Sequence, residues 1–288
     1  MTNGFPGEQR NQWSHVLASG RNRLGFALRN FLRWTLPGNT YRENACAQAG
    51  LPELGPDAAM VFQALHGRYD LRHLAQAASR ERYLETLAYL EWLEYFRQQC
   101  PAAFSAIMDN ALSLRWLDAG AKNWAYVEAI HAFIQTNHGQ NFQLDGVELD
   151  PHRRYVNLQT RRQAALSYIH GLPNARYYSG NLLDWRQPAH IISHFLPFVF
   201  QEPHLAWGLP LDYFNPQPLL NHLLSLLEPG GLLLIVNQGE AEAQAQQALL
   251  ESATRLFPVR FESLGQLPAS FIEYRYPRYG WICIKEGI

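Results

Sequence analysis

Three short stretches hold residues whose types and spacing suit the binding of a nucleoside. The first is Leu117-Asp118-Ala119-Gly120-Ala121-Lys122-Asn123-Trp124. A glycine directly after an apolar strand lets the backbone approach a ligand closely. Asn123 suits the cap of a following helix, whose amide end attracts negative or lone-pair-rich groups. The second is Gly146-Val147-Glu148-Leu149-Asp150-Pro151, where a carboxylate at the strand tip is placed to accept both hydroxyls of a ribose. The third is Ile192-Ser193-His194-Phe195-Leu196-Pro197-Phe198. It puts His194 at the strand edge where ligands sit in such sheets, as a base or a substrate contact. His204 and Glu202 in the aromatic loop that follows are further candidates. Asp118 would contact the ligand or fix loop amides; Asp184 and Trp185 read mainly as loop structure.

The elements that must position these residues change character near residue 112. From there on, strand and helix patterns alternate, as in a parallel sheet with crossover helices. Seven strands are expected: Leu114–Ala119, Leu144–Leu149, Arg176–Ser179, Ala189–Phe195, Leu232–Val236, Val259–Leu264 and Tyr279–Lys285. Helices are expected over Trp124–Thr136, His152–His170, from Pro216, and over Glu240–Leu256. Before residue 112 the pattern is helical. Leu24, Ala27, Leu28, Phe31 and Leu32 mark one helix face, ended by Pro37-Gly38. Ala58–Gln99 is a second helical stretch with a break near Gly67–Asp70, closed by Pro101.

The order of motifs resembles the class I S-adenosylmethionine-dependent methyltransferases over about residues 113 to 288. Asp118-Ala119-Gly120 resembles that family's first glycine-rich motif, and Glu148 falls where the family has its ribose-binding acid. Ser179-Gly180-Asn181-Leu182 resembles the third-strand motif, whose side chain after the glycine contacts adenine. Glu228-Pro229-Gly230-Gly231 resembles the turn before strand five. The chain departs from the pattern at Lys122 and Trp124, which stand where the family has its second and third glycines, and at Asn181 in place of an acid. The resemblance implies a Rossmann-like, doubly wound α/β sheet, seven-stranded and mostly parallel with an antiparallel last strand, preceded by an α-helical region. Residues 1–112 would form a helical cap or substrate region, and 113–288 the cofactor domain. It implies S-adenosylmethionine as cofactor, held by Asp118, Gly120, Lys122, Glu148 and Asn181, with His194 as the catalytic candidate. Lys122 would face the cofactor's carboxylate or stay in solvent, and Trp124 reads as a packing residue. In this fold, additions before strand one cover the cofactor, so Tyr41 and its neighbours are expected to line the site.

Composition narrows the rest. The 288 residues are 47% hydrophobic and 17% charged, with 24 basic against 25 acidic side chains. This is no nucleic-acid polycation and no disordered polymer. Apolar runs are too short to cross a bilayer, no signal segment opens the chain, and Cys46, Cys100 and Cys283 lie too far apart for a zinc motif or a disulfide framework. A cytoplasmic protein without a metal is expected. Residues 1–42 hold six arginines and one acid, Glu8. The helix there could meet an anionic membrane or RNA, but the favoured expectation is that it packs its apolar face on the protein and solvates its arginines. Phe198, Phe200, Trp207, Tyr213 and Phe214 suggest an apolar or planar small acceptor, or simply a packed core. The alternatives are a non-catalytic relative that uses the pocket for sensing or docking, and a dinucleotide-dependent oxidoreductase.

Overall fold

In the computed structural model, residues 6–33, 54–71 and 79–287 are described. Strands β1 (Leu114–Ala119), β2 (Phe142–Glu148), β3 (Ala175–Ser179), β4 (Ala189–Phe195), β5 (Leu227–Gln238), β6 (Val259–Gln266) and β7 (Arg278–Lys285) form one sheet in the order β3-β2-β1-β4-β5-β7-β6. β1 to β5 run parallel, while β7 is antiparallel to both β5 and β6. This is the seven-stranded sheet the resemblance implies. A dinucleotide-binding sheet of order 3-2-1-4-5-6 is built from parallel halves, and the inserted β7 departs from it.

Alternation along each strand divides the core, because successive side chains point to opposite faces. Leu232, Leu234 and Val236 of β5 belong to one apolar cluster. Helices α3 (Arg80–Gln99), α4 (Pro101–Met108), α5 (Val127–Asn137) and α6 (Arg161–Tyr168) cover that face. Leu233 and Ile235 face the other cluster, beneath α7 (Pro216–Leu226) and α8 (Gly239–Ala253). Pro101 both ends α3 and opens α4 at the first-turn position that favours proline. The break expected in the second helical stretch separates α2 (Pro56–Arg68) from α3.

Two helix boundaries move. The helix expected from Trp124 begins at Val127, because Lys122 and Trp124 adopt left-handed backbone, each with φ 55°, so Asn123 is not its cap. The helix expected over His152–His170 shrinks to α6. Thr160 and Gln163 form a capping box there, and an Arg154–Thr160 bridge closes residues 154–160 into a loop.

Helix α1 (Pro6–Leu32) reverses the expected packing. Its buried side carries Ser19, Asn22 and Phe26, while Leu17, Leu24, Leu28 and Phe31 face outward. The inward contacts are polar. Asn22 Nδ2 donates to the carbonyls of Leu205 (2.9 Å) and Leu209 (3.1 Å), and Ser19 Oγ accepts from Leu211 N–H at 2.9 Å. Arg23 pairs with Asp212, and Arg29 makes a two-pronged pair with buried Asp150 at 2.8 and 3.2 Å. Arg29 thus anchors the helix, while Arg21, Arg23 and Arg33 stay exposed, as expected, Arg23 in a surface pair with Asp212. Trp34, Pro37, Gly38 and Tyr41 lie outside the described residues.

The tightest packing near the site is between Gly146 and Trp124. A Cβ on Gly146 would lie 2.7 Å from the indole, which is fully buried. Gly146→Ala is therefore expected to cost about 1–3 kcal/mol through overpacking. Urea unfolding should show the loss, and the double variant Gly146→Ala/Trp124→Phe should recover part of it.

Candidate functional site

The parallel order reverses between β1 and β4, and ligands bind such sheets beyond the carboxyl ends of the strands at that switch point. A cavity of about 340 Å³ opens there. Gly120 and Lys122 after β1, Glu148 at the tip of β2, Asn181 after β3, His194 near the end of β4 and Gln238 at the end of β5 all line it. Five of the six expected site residues therefore meet in one cavity. Strand spacing of about 4.8 Å stretches this lining across the sheet from Asn181 to Gln238.

Asp118 is the exception. It is fully buried, does not line the cavity, and accepts hydrogen bonds from Ser193 Oγ (2.5 Å) and Tyr126 Oη (2.8 Å). Trp116 Nε1 in turn donates to Ser193 Oγ at 3.0 Å. Burial without a cation pushes the Asp118 carboxyl up to about 6, against the pull of those hydrogen bonds. Tyr126, held by Asp118, stacks on Tyr89 with ring centroids 3.9 Å apart, and both tyrosines line the cavity.

Glu148 is buried and busy. Oε1 accepts from Asp150 N–H (2.8 Å) and Arg161 Nη1 (2.9 Å), and Oε2 accepts from Lys122 N–H at 2.9 Å. That last bond fixes the glycine-rich turn to the tip of β2. Gly120 takes φ 81°, and Lys122 and Trp124 keep left-handed backbone at the positions where the family resemblance expects glycine. The turn thus retains a glycine-like shape with side chains in place, at a cost of roughly 1–2 kcal/mol per residue. Trp124 packs into the core as expected, while Lys122 turns to the cavity, where its ammonium lies 5.2 Å from the Trp207 ring centroid. Burial lowers the Lys122 pKa.

Asn181, which lines the cavity, accepts from Leu183 N–H through Oδ1 at 3.1 Å, and its amide nitrogen has no hydrogen-bond partner among the described residues. His194 Nδ1 lies 2.9 Å from the Ala119 carbonyl. A carbonyl only accepts, so Nδ1 carries the proton and Nε2 keeps a lone pair. Burial lowers the His194 pKa and favours this neutral form. His204 also lines the cavity, but its Nε2 is held by the Pro210 carbonyl at 2.9 Å. Glu202 does not reach the cavity; its exposed carboxylate lies 3.6 Å from His15. Asp184 and Trp185 stay outside the lining, while Phe198, Trp207, Tyr213 and Phe214 form part of it and Phe200 does not.

Tyr89, Tyr126, Arg161 and Glu85 are lining residues that sequence reasoning passed over. Thr160-x-x-Gln163 could have placed Arg161 in the first turn of a helix. The tyrosines carry no comparable signal, since aromatic residues on helices read as core.

The strand order, the inserted antiparallel β7 and the switch-point cavity give the chain the fold of class I S-adenosylmethionine-dependent methyltransferases. No family model and no curated protein matches the sequence. Similar solved structures include a putative class I S-adenosylmethionine-dependent methyltransferase from Listeria monocytogenes, at 11% identity and TM-score 0.49, covering 80% of this chain and 69% of that one. Another is the plantazolicin methyltransferase BamL in complex with a desmethyl analog and SAH, at 16% identity and TM-score 0.45, covering 80% and 94%. A third is an S-adenosylmethionine-dependent methyltransferase from Clostridium acetobutylicum, at 10% identity and TM-score 0.45, covering 79% and 99%.

Proposed function

We infer that the protein transfers a methyl group from S-adenosylmethionine to a small acceptor held in the switch-point cavity. The observation that carries this reading is the convergence of Gly120, Lys122, Glu148, Asn181 and His194 on one cavity. The residues suit the cofactor's parts. The free amide donor of Asn181 fits an adenine ring nitrogen, and Glu148 Oε2, with one hydrogen bond made, has room for a ribose hydroxyl. The Lys122 ammonium, turned to the cavity, fits a carboxylate. When bound, S-adenosylmethionine supplies an electrophilic methyl on a sulfonium sulfur. The chain's task is then mostly alignment, which is worth several kcal/mol. His194 contributes the Nε2 lone pair to an acceptor that must lose a proton. Phe198, Tyr213 and Phe214 suit an apolar or planar acceptor.

Calorimetry with S-adenosylhomocysteine and, separately, NADH tests the cofactor assignment. Binding of the former is expected, and binding of NADH alone would sink the reading. Incubation of the protein and S-adenosylmethionine with fractionated small-molecule extracts then identifies the acceptor as the species gaining a methyl. With that acceptor, His194→Asn keeps an amide donor for the Ala119 carbonyl and is expected to lower kcat about 10²–10⁴-fold if the acceptor loses a proton. Affinity for S-adenosylhomocysteine should stay close to the parent's. Lys122 and Trp124 at glycine positions favour a second reading, a binding protein without turnover. Cofactor binding with no methylated product in any fraction would support it.

A further inference from the structure

Helix α1 turns its apolar face away from the protein. Leu17, Leu24, Leu28 and Phe31 are spaced by seven, four and three residues, which puts them on one side of the helix. They are 73%, 75%, 57% and 84% exposed. Large apolar side chains scattered singly on a surface need no explanation, but a continuous stripe of them marks an interaction surface.

A basic cluster adjoins this stripe. Leu28, Arg29 and Leu32 share a cavity with His152, Arg153 and Arg154 of the loop after β2. The positive charge there is crowded. Burial lowers the pKa of Arg153 and His152, and neighbouring cations push the same way: Arg161 and Arg29 on Arg153, Arg33 and Arg162 on His152. Among the described residues, Asp150 and Glu148 beside this cluster are already held by Arg29 and Arg161. Arg153 Nη1 and His152 Nδ1 are buried without a hydrogen-bond partner among the described residues. The same loop, closed by the Arg154–Thr160 bridge, exposes Val156 completely and Leu158 by half.

We propose that α1 and the loop after β2 form a docking surface for an anionic lipid bilayer. The stripe enters the boundary between headgroups and acyl chains while Arg33 and Arg154, exposed members of the basic cluster, meet the headgroup phosphates. Such a bilayer answers both features at once, because its surface attracts cations and its interior takes apolar side chains. An RNA backbone would neutralise the arginines but leave the stripe in water. A second copy packed face to face would cover the stripe but bring one basic cluster toward another. The contacts of Asn22 and Arg29 with residues 205–209 keep α1 fastened to the loop that lines the methyl-transfer cavity while its outer face is engaged. The proposal does not depend on the reaction.

The test is co-sedimentation of the full chain with vesicles of phosphatidylcholine alone and of phosphatidylcholine mixed with phosphatidylserine. Binding to the mixed vesicles only, weakening as salt rises, is the expected result. Leu24→Glu/Leu28→Glu and, separately, Arg153→Glu/Arg154→Glu are each expected to lower the partition roughly tenfold or more. The leucine variant changes only exposed positions, so its unfolding midpoint should match the parent's and show that the fold is intact. Three results would overturn the proposal. One is failure to sediment with mixed vesicles. Another is a leucine variant that sediments like the parent, with single-stranded RNA bound through the arginines instead. The third is a dimer in light scattering that Leu24→Glu/Leu28→Glu converts to monomer.

Discussion

Glu148→Ala is expected to be the most damaging single substitution at the site, lowering stability by about 3–5 kcal/mol. The side chains of Glu148 and Arg161 are only 8% and 5% exposed. Removing the carboxylate leaves the guanidinium buried and uncompensated, and the amides of Lys122 and Asp150 lose their acceptor as well. Urea unfolding should report the loss directly. The design that separates structure from ligand binding is Glu148→Gln/Arg161→Met, which removes both charges together and keeps an acceptor oxygen. Replacing a buried ion pair by neutral groups of similar volume is often close to neutral, so this variant should regain part of the lost stability, its one amide oxygen serving one of the two backbone N–H donors. Affinity for S-adenosylhomocysteine should not return with it. A charged acceptor for a ribose hydroxyl is worth about 1.5–3 kcal/mol, or roughly ten- to a hundredfold in Kd. A double variant that is stable and binds like the parent would remove Glu148 from the cofactor site.

The sheet was legible because each inner strand is an apolar run bounded by turn residues. That pattern also placed Gly120, Glu148, Asn181 and His194 at carboxyl ends, where the sheet gathers them into one cavity. Two things were hidden. Periodicity finds the apolar face of α1 but cannot say which face is buried. That choice is made by Asp150, Asp212 and the carbonyls of Leu205 and Leu209, all more than 120 residues away in the chain. The burial of Ser193 beside Asp118 was equally invisible, since it arises from the β1–β4 pairing that sets those two residues opposite each other. A carboxylate read as a candidate ligand contact becomes a support for Tyr126. The identity of a residue announces its chemistry, whereas burial decides which of its uses survives.

Asp118 carries the second large prediction, in the pH dependence of stability. Its carboxyl is raised from 3.8 to about 6 in the folded protein, chiefly by burial. Between those values the folded state binds more protons than the unfolded state, so stability falls as pH rises. The contribution is fully present below the unfolded value and is lost as pH climbs through about 6, where the buried carboxylate must stand charged with no cation among the described residues paired to it. A displacement of this size corresponds to about 3 kcal/mol, at 1.36 kcal/mol for each tenfold change in proton affinity. Asp118→Asn should flatten this segment of the curve, because the amide never bears charge: its oxygen accepts from one of the two hydroxyls that bind the carboxylate oxygens, and its NH2 donates to the other. At pH 7 the variant should be as stable as the parent or more so, and near pH 4 the difference should shrink or reverse. Urea midpoints measured from pH 4 to 8 for both proteins decide the matter. Parallel curves would mean that Ser193 and Tyr126 stabilise the charged carboxylate as well as water does. In that case Asp118 holds the tyrosine stack through a full negative charge, and the asparagine variant should weaken cofactor binding through a misplaced Tyr126.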